Sequence, residues 1–337
     1  MSEVSVDLLD AARSVEMVAP MTFLIHGATY IVPAPAAQGE RQGGLVSVFA
    51  QALYSFYCGA PARADASRAV SASAAVGRFV DDLAGANGGH GTWDPGWRVV
   101  AIEHGGRIVA SKDHITLWIS PAQFELPGAE LCVGAIGRVA VGKEFRSLIP
   151  GFYFALGDGR QPDVVDDGAP LVRYYWHVTA AGAPLLMSAL TRGLNREGVP
   201  FRLKMLRDPQ GYVRADAAVL YLAWAAHLRA GRIITRVHAR VARWLRPSTP
   251  RFSQPIGVGL GVAEDPGGEF ESFGQNRCRI VAEGLCDALG SRGWSPGARE
   301  QAVVAAFVRH GLDPARPHLA KRDSGRVYAA LDVGGAP

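Results

Sequence analysis

The chain has 337 residues, 48% of them hydrophobic and 20% charged, with a formal net charge of +4. This is the balance of a globular protein, long enough for one large domain or two modest ones, and its mild charge suits an acidic substrate without demanding nucleic acid. No apolar run reaches the roughly 18 residues of a membrane-spanning helix. The opening Met1-Ser2-Glu3-Val4 lacks the basic and long apolar regions of a secretory signal, so a cytoplasmic protein is expected.

Residues 1 to about 85 read as mainly helical, with apolar and small residues at helical spacing over Val46–Tyr57 and Ala66–Leu83. From Trp97 to Arg146 the pattern changes to short strands: Trp97–Ile102, Arg107–Ala110, Ile115–Ile119, Leu131–Val133 and Gly137–Val141. Gly, Pro and Asp separate them, as in an antiparallel sheet. The Trp93-Asp-Pro-Gly-Trp97 segment reads as a turn with buried aromatics. Residues 157–170 are polar and rich in Gly, Pro and Asp, which marks a linker or a long surface loop.

The second half opens with a strand over 171–178, followed by a helix from about Pro184 to Arg196 that Gly198 ends. A strand over 200–206 and a turn at Asp208–Gly211 lead into helices expected at Ala215–Arg229 and Ile233–Leu245. Ile256–Val262 reads as one glycine-rich strand, and helices near Phe273–Leu289 and Pro296–His310 close the chain. The expected fold is α+β: an antiparallel or mixed sheet flanked by helices, with an N-terminal helical plus β subdomain over residues 1–156, a possible binding region for peptide or partner.

The two strands at 171–178 and 200–206 hold the main candidate site. Side chains alternate along a strand, so Arg173, Tyr175 and His177 share one face, and Arg202 and Lys204 share another. In one sheet these groups can hold a phosphate and move a proton. The chain carries 31 Arg but only four Lys: Lys112, Lys143, Lys204 and Lys321. A GC-rich genome accounts for the bias. Arginine stays protonated whereas a crowded lysine can lose its proton, so a base here could be a lysine but not an arginine. Read functionally, Lys204 is a general base lowered by Arg202 and further arginines, and His177 a general acid. The alternative is a set of solvent-facing strand residues, or a histidine satisfied by the backbone.

Arg214 and Asp216 would stand at a helix entrance, where free N–H groups attract anions. They serve equally as a phosphate fork or as an ordinary surface cation beside a dipole-complementing acid. Ser272 is placed to cap the helix containing Arg277. Arg277 and Arg279 fall on different faces, so at most one enters a shared site, and Arg251 is a weaker candidate. Gly257-Val-Gly-Leu-Gly261 is not a dinucleotide fingerprint, and no P-loop, kinase loop or HExxH appears. His90, Asp94, His104 and His114 show no metal-ligand spacing. Cys58, Cys132, Cys278 and Cys286 form no CxxC pair, so neither zinc nor a disulfide framework is expected.

The ordered segments Tyr174-Tyr-Trp-His-Val178, Phe201-Arg-Leu-Lys204, Tyr212-Val-Arg-Ala-Asp-Ala-Ala-Val-Leu-Tyr221, Ser272-Phe-Gly-Gln-Asn-Arg-Cys278 and Gly311–Leu319 resemble the HopA-type effector-like family over about residues 145–320. That family is named for a type III effector of plant-pathogenic bacteria. Its actinobacterial members act in ribosomal peptide pathways, including those of class V lanthipeptides and thioamitides. The resemblance implies a phosphoserine/phosphothreonine lyase domain over residues 170–330, needing no cofactor and no metal. Lys204 would take the α-proton of a phosphorylated residue and His177 would protonate the departing phosphate. Arg202, Arg214 and Arg277 would neutralise it, with Arg173, Tyr175 and Asp216 adding contacts. The implied partners are a phosphorylated precursor peptide with its leader, a separate Ser/Thr peptide kinase and a possible cyclase, with no nucleic acid and no membrane. A non-catalytic peptide-binding effector-like protein and an accessory subunit of a kinase–cyclase complex are the other readings.

Overall fold

The computed structural model describes residues 4–19, 22–31, 38–58, 69–112, 115–128, 130–159, 170–267, 271–321 and 325–331. The polar stretch expected as a linker falls largely outside the described residues, as do His114 and Gly268–Phe270.

Helix α1 (Val6–Arg13) leads into a three-stranded sheet of β1 (Val15–Ala19), β2 (Thr22–Ile25) and β3 (Ala28–Ile31). Helices α2 (Gln38–Cys58) and α3 (Ala69–Ala86) follow. The helical reading of residues 1–85 therefore missed a small sheet, whose strands of four or five residues are too short to impose a clear alternation. A five-stranded sheet comes next, from β4 (Thr92–Ile102), β5 (Ile108–Lys112), β6 (Ile115–Ile119), β7 (Phe124–Glu125) and β8 (Ile136–Val141). Residues 131–133 are not a strand. The Trp93–Trp97 segment runs within β4 and pairs with β8, with a register shift between Pro95 and Trp97. Of its two tryptophans, Trp97 is buried and Trp93 is exposed.

Seven strands form the main sheet: β9 (Glu144–Phe145), β10 (Phe152–Leu156), β11 (Leu171–Trp176), β12 (Arg202–Leu206), β13 (Ala218–Ala223), β14 (Gln254–Gly257) and β15 (Leu260–Glu264). Their order across the sheet is β14-β15-β11-β13-β12-β10-β9, and every pairing is antiparallel. Strands β9 and β10 lie before residue 157, so the first half of the chain supplies one edge of the sheet that carries β11 and β12.

Helix α4 (Ala183–Arg196) connects β11 to β12, and α5 (Trp224–Val241) follows β13. The expected helix from Ala215 is thus in part a strand. Ala217–Ala223 is a continuous apolar run, the signature of a central strand buried on both faces, and over so few residues it cannot be told from a buried helix by periodicity. The expected strand over Ile256–Val262 is a hairpin of β14 and β15, turning at Gly259 with φ of +63°. Helices α6 (Phe273–Asp287) and α7 (Pro296–Arg309) complete the fold. Ser272 caps α6 in a reciprocal pair with Gln275.

The protein is α+β. One face of the main sheet buries Tyr174, Trp176, Leu203 and Leu220 against α3, α4 and α5. Tyr175, Val219 and Ala263 on the other face pack with α1, α2, α6 and α7. Burying one such large apolar side chain contributes about 1.5–3 kcal/mol, so both helical layers are firmly attached. The five-stranded sheet has its own small core around Trp97, Val99 and Val139. Among the described residues, no helix is long and apolar enough to cross a membrane.

Candidate functional site

Strands β11 and β12 lie in one sheet but are not adjacent, because β13 pairs with both. The register sets two rows across three strands. Arg173, Tyr221 and Arg202 form one row, and Tyr175, Val219 and Lys204 form the next. Side-chain alternation puts both rows on a single face, with His177 continuing that face beyond the end of β11. Helix α6 covers the β11 side, where Tyr175 packs on Phe273. Arg173, Tyr175 and His177 are accordingly buried, whereas Arg202, Lys204 and Tyr221 are only half-buried.

Hydrogen bonding sorts the cations of this face into two kinds. Arg173 directs Nε and Nη2 to Asp265, with the Nε bond at 2.7 Å. Arg214 forms a two-pronged pair with Asp216, both bonds at 2.7 Å. Among the described residues, Arg202 and Lys204 have no hydrogen-bond or carboxylate partner. Arg202 lies over Tyr221 with its guanidinium carbon 5.8 Å from the ring centre, and Arg173 shares that ring at 5.3 Å. Two guanidiniums against one ring bring positive charge together in a partly dehydrated place.

Lys204 points across β12 toward β10, where its Nζ is 3.7 Å from the centre of the Phe152 ring. Burial pushes its amine down to about 8; Asp216 opposes the shift, and Arg173 and Arg214 add to it. The lowering expected from Arg202 comes instead from burial and from these two arginines. Asp216 acts on Lys204, His177, Tyr175 and Tyr221 alike, so it is the shared negative charge of the site. It precedes β13, whose first residue is Ala218, and is not at a helix entrance, so the helix-dipole argument for Arg214 and Asp216 falls away.

His177 is held by the chain around residues 245–249. Its Nδ1 lies 2.9 Å from Ser248 Oγ and 3.1 Å from the Ser248 carbonyl, while Nε2 is buried and has no hydrogen-bond partner among the described residues. Burial lowers the imidazole pKa, against the Ser248 and Val213 backbone groups, which favour the charged ring. The segment is pinned by Arg246 N–H donating to the His177 carbonyl at 2.9 Å and by the hairpin turn beneath it. A Cβ on Gly259 would come within 2.3 Å of the Arg246 carbonyl, so the turn needs glycine for both its positive φ and its close approach. From the spacing of strands and residues, the His177 and Lys204 Cα atoms stand about 12 Å apart, a span that a phosphorylated side chain can bridge.

Arg277 is 1% exposed and serves the protein interior. Its Nε donates to the Pro317 carbonyl at 2.7 Å and its Nη2 to that of Leu319 at 2.8 Å, while Nη1 donates to the Asn276 side chain. Burial pulls its guanidinium down to about 10, against the opposing influence of Tyr175, Glu264 and Glu271. It lies beneath Tyr175 and anchors the segment after α7. Arg279 pairs with Glu271 and Glu283, and Arg251 pairs with Asp7 and Asp10, both away from the two rows. Asp265, Tyr221, Ser248 and Phe152 escaped the sequence reading. Tyr221 was hidden by the helix expected there, although its strand parity matches Val219. The other three come from segments whose approach to the site is set only by tertiary packing.

The fold and site define a protein with a half-open basic face on a seven-stranded antiparallel sheet, backed by helices on both sides. A model of the HopA1 effector protein family matches residues 145–319, from β9 to the turns after α7. The chain belongs to that family. No curated protein sequence matches it. Two solved structures are similar: the effector protein from Pseudomonas syringae pv. tomato strain DC3000, at 17% identity and a TM-score of 0.46, and the effector protein from Pseudomonas syringae pv. syringae strain 61, at 16% and 0.46. Each comparison covers 84% of this chain, with 97% and 98% of the respective effector chain.

Proposed function

We propose that the protein is a phosphoserine/phosphothreonine lyase that eliminates phosphate from a phosphorylated precursor peptide, leaving dehydroalanine or dehydrobutyrine, in lanthipeptide or related peptide biosynthesis. The observation that carries the reading is Lys204: a half-buried amine lowered to about 8, without a carboxylate partner among the described residues, one row from an unpaired arginine. At pH 7 roughly one such amine in ten is neutral, against roughly one in two thousand for an ordinary lysine.

In the proposed step the neutral Lys204 amine removes the α-proton of the phosphorylated residue. The C–H electron pair becomes the new C=C bond, and the Cβ–O bond breaks with its pair on the phosphate. His177 Nε2, buried and without a hydrogen-bond partner among the described residues, delivers a proton to that oxygen. A phosphate dianion close to the ring favours the imidazolium that this role requires. Arg202 supplies unshared donors, and Arg173 and Arg214 add charge while held by Asp265 and Asp216. With Lys204 neutral, Arg173, Arg202, Arg214 and the protonated His177 face the two carboxylates Asp265 and Asp216, a surplus of positive charge matched to a doubly charged leaving group.

The test is incubation of the purified protein with phosphoserine and phosphothreonine peptides, alone and with the cognate leader peptide and kinase, and mass spectrometry for loss of phosphoric acid. Loss of phosphoric acid from the peptide is expected, and Lys204→Ala and His177→Ala should each lower turnover by about 10²–10⁴-fold. No loss under any of these conditions would leave a non-catalytic peptide-binding role. A fully active Lys204→Arg variant would remove Lys204 as the base.

A further inference from the structure

We propose that the groove between α4 and α5 is a second binding site, for a peptide segment carrying acidic and apolar side chains. It lies on the sheet face opposite Lys204, so the proposal does not rest on the lyase reading. Helices α4 and α5 contain Arg192, Arg196, Arg229, Arg232, Arg236 and Arg240 and not one Asp or Glu. On α5 the arginines recur every three or four residues, which aligns them on one face. They are exposed, and among the described residues none of the six has a carboxylate partner. Elsewhere the arginines of this chain are widely paired, as with Arg138–Glu125, Arg251–Asp7, Arg279–Glu283 and Arg309–Asp287. Like charges at i,i+4 destabilise a helix, so an uncompensated stripe costs stability unless a ligand offsets it.

The stripe borders a cavity of about 200 Å³. Arg192 and Arg196 stand on one wall and Arg236 and Arg240 on the other, with Ile233 and Val237 in the floor; Glu197, just past the end of α4, is the one carboxylate in the lining and leaves the four arginines a net surplus of three positive charges. Gly193 brings the helices together, since a Cβ there would be 2.9 Å from Ile233. Arginine walls over an apolar floor suit a chain that alternates carboxylates with small or aliphatic side chains. The lining has no aromatic residue on which bases could stack, which disfavours single-stranded nucleic acid. The apolar side of α5 is already buried against the sheet, so little remains to insert into a membrane.

The experiment is fluorescence anisotropy of the full-length protein with a fluorescein-labelled Glu/Leu/Ala peptide, its Gln-for-Glu counterpart, a uridine oligonucleotide and phosphatidylserine vesicles. Saturable binding of the acidic peptide is expected, weakened by salt. It should weaken about tenfold or more in Arg236→Glu/Arg240→Glu and also in Arg192→Glu/Arg196→Glu. Circular dichroism melting checks that each variant folds, and phosphate elimination from a short peptide should stay at the parent rate. The proposal is overturned by absent binding, by equal binding of the Gln peptide, by unchanged affinity in folded variants, or by tighter binding of the oligonucleotide or vesicles.

Discussion

The Lys204 ammonium lies 3.7 Å from the centre of the Phe152 ring, diagonally across the β10–β12 pairing in which Lys204 faces Phe154. This contact opposes the effect of burial. A π-face favours the charged amine by about 0.5–2 kcal/mol, whereas dehydration favours the neutral one. Phe152 thus fixes the amine in place and keeps its pKa from falling further.

Phe152→Leu should move the limb of the kcat/KM profile that reports Lys204, near pH 8, to lower pH by about half a unit to one unit. It should also lower kcat, because the amine loses its seat. In the native protein activity rises with pH through that limb as Lys204 loses its proton. A profile unchanged by Phe152→Leu would show that Lys204 does not set it.

Arg202 and Arg277 should separate cleanly. Arg202→Ala removes unshared donors at a half-buried surface, so phosphopeptide affinity should fall by about tenfold with melting temperature nearly unchanged. Arg277→Met strips donors from two buried carbonyls, and each orphaned group costs about 1–3 kcal/mol. It should therefore unfold at lower denaturant concentration. Equilibrium unfolding and peptide titration of both variants check the contrast.

Gly259→Ala should act on His177 without touching it. The added methyl cannot fit beside the Arg246 carbonyl, so the 245–249 segment must shift and carry Ser248 with it. The expected result is a lower kcat with KM little changed. An NMR titration of His177 should show a displaced pKa, which an effect on stability alone would not produce.

Acid should destabilise the fold through two dehydrated histidines, His318, which is buried, and His227, which is half-buried. Burial holds His227 and His318 near pKa 4, well below the usual value of 6.5. Between those values the unfolded chain takes up protons that the native state refuses, so stability present above pH 6.5 is lost as pH falls toward 4. His227→Gln should flatten that decline in melting temperature. An equally steep slope in the variant would assign the acid sensitivity to other groups.

Local pattern was sufficient for much of this protein. Alternation in Leu171–Val178 and Phe201–Leu206 placed Arg173, Tyr175, His177, Arg202 and Lys204 on their strand faces, and the cap at Ser272 and the end of α4 at Gly198 follow from neighbouring residues alone. The scarcity of lysine singled out Lys204. What tertiary structure decided was company and exposure. A solid apolar run such as Ala217–Ala223 has no period to distinguish helix from strand, so the insertion of β13 between β11 and β12 was hidden, and Tyr221 with it. Which arginines stay available depends on carboxylates far away in sequence: Asp265 occupies Arg173 from 92 residues off, while Arg277 turns inward to carbonyls at Pro317 and Leu319. Where the apolar pattern is periodic, secondary structure is set by near neighbours along the chain. Charge and proton affinity are set by neighbours in space, and only the folded sheet brings Phe152, Asp216 and Lys204 together.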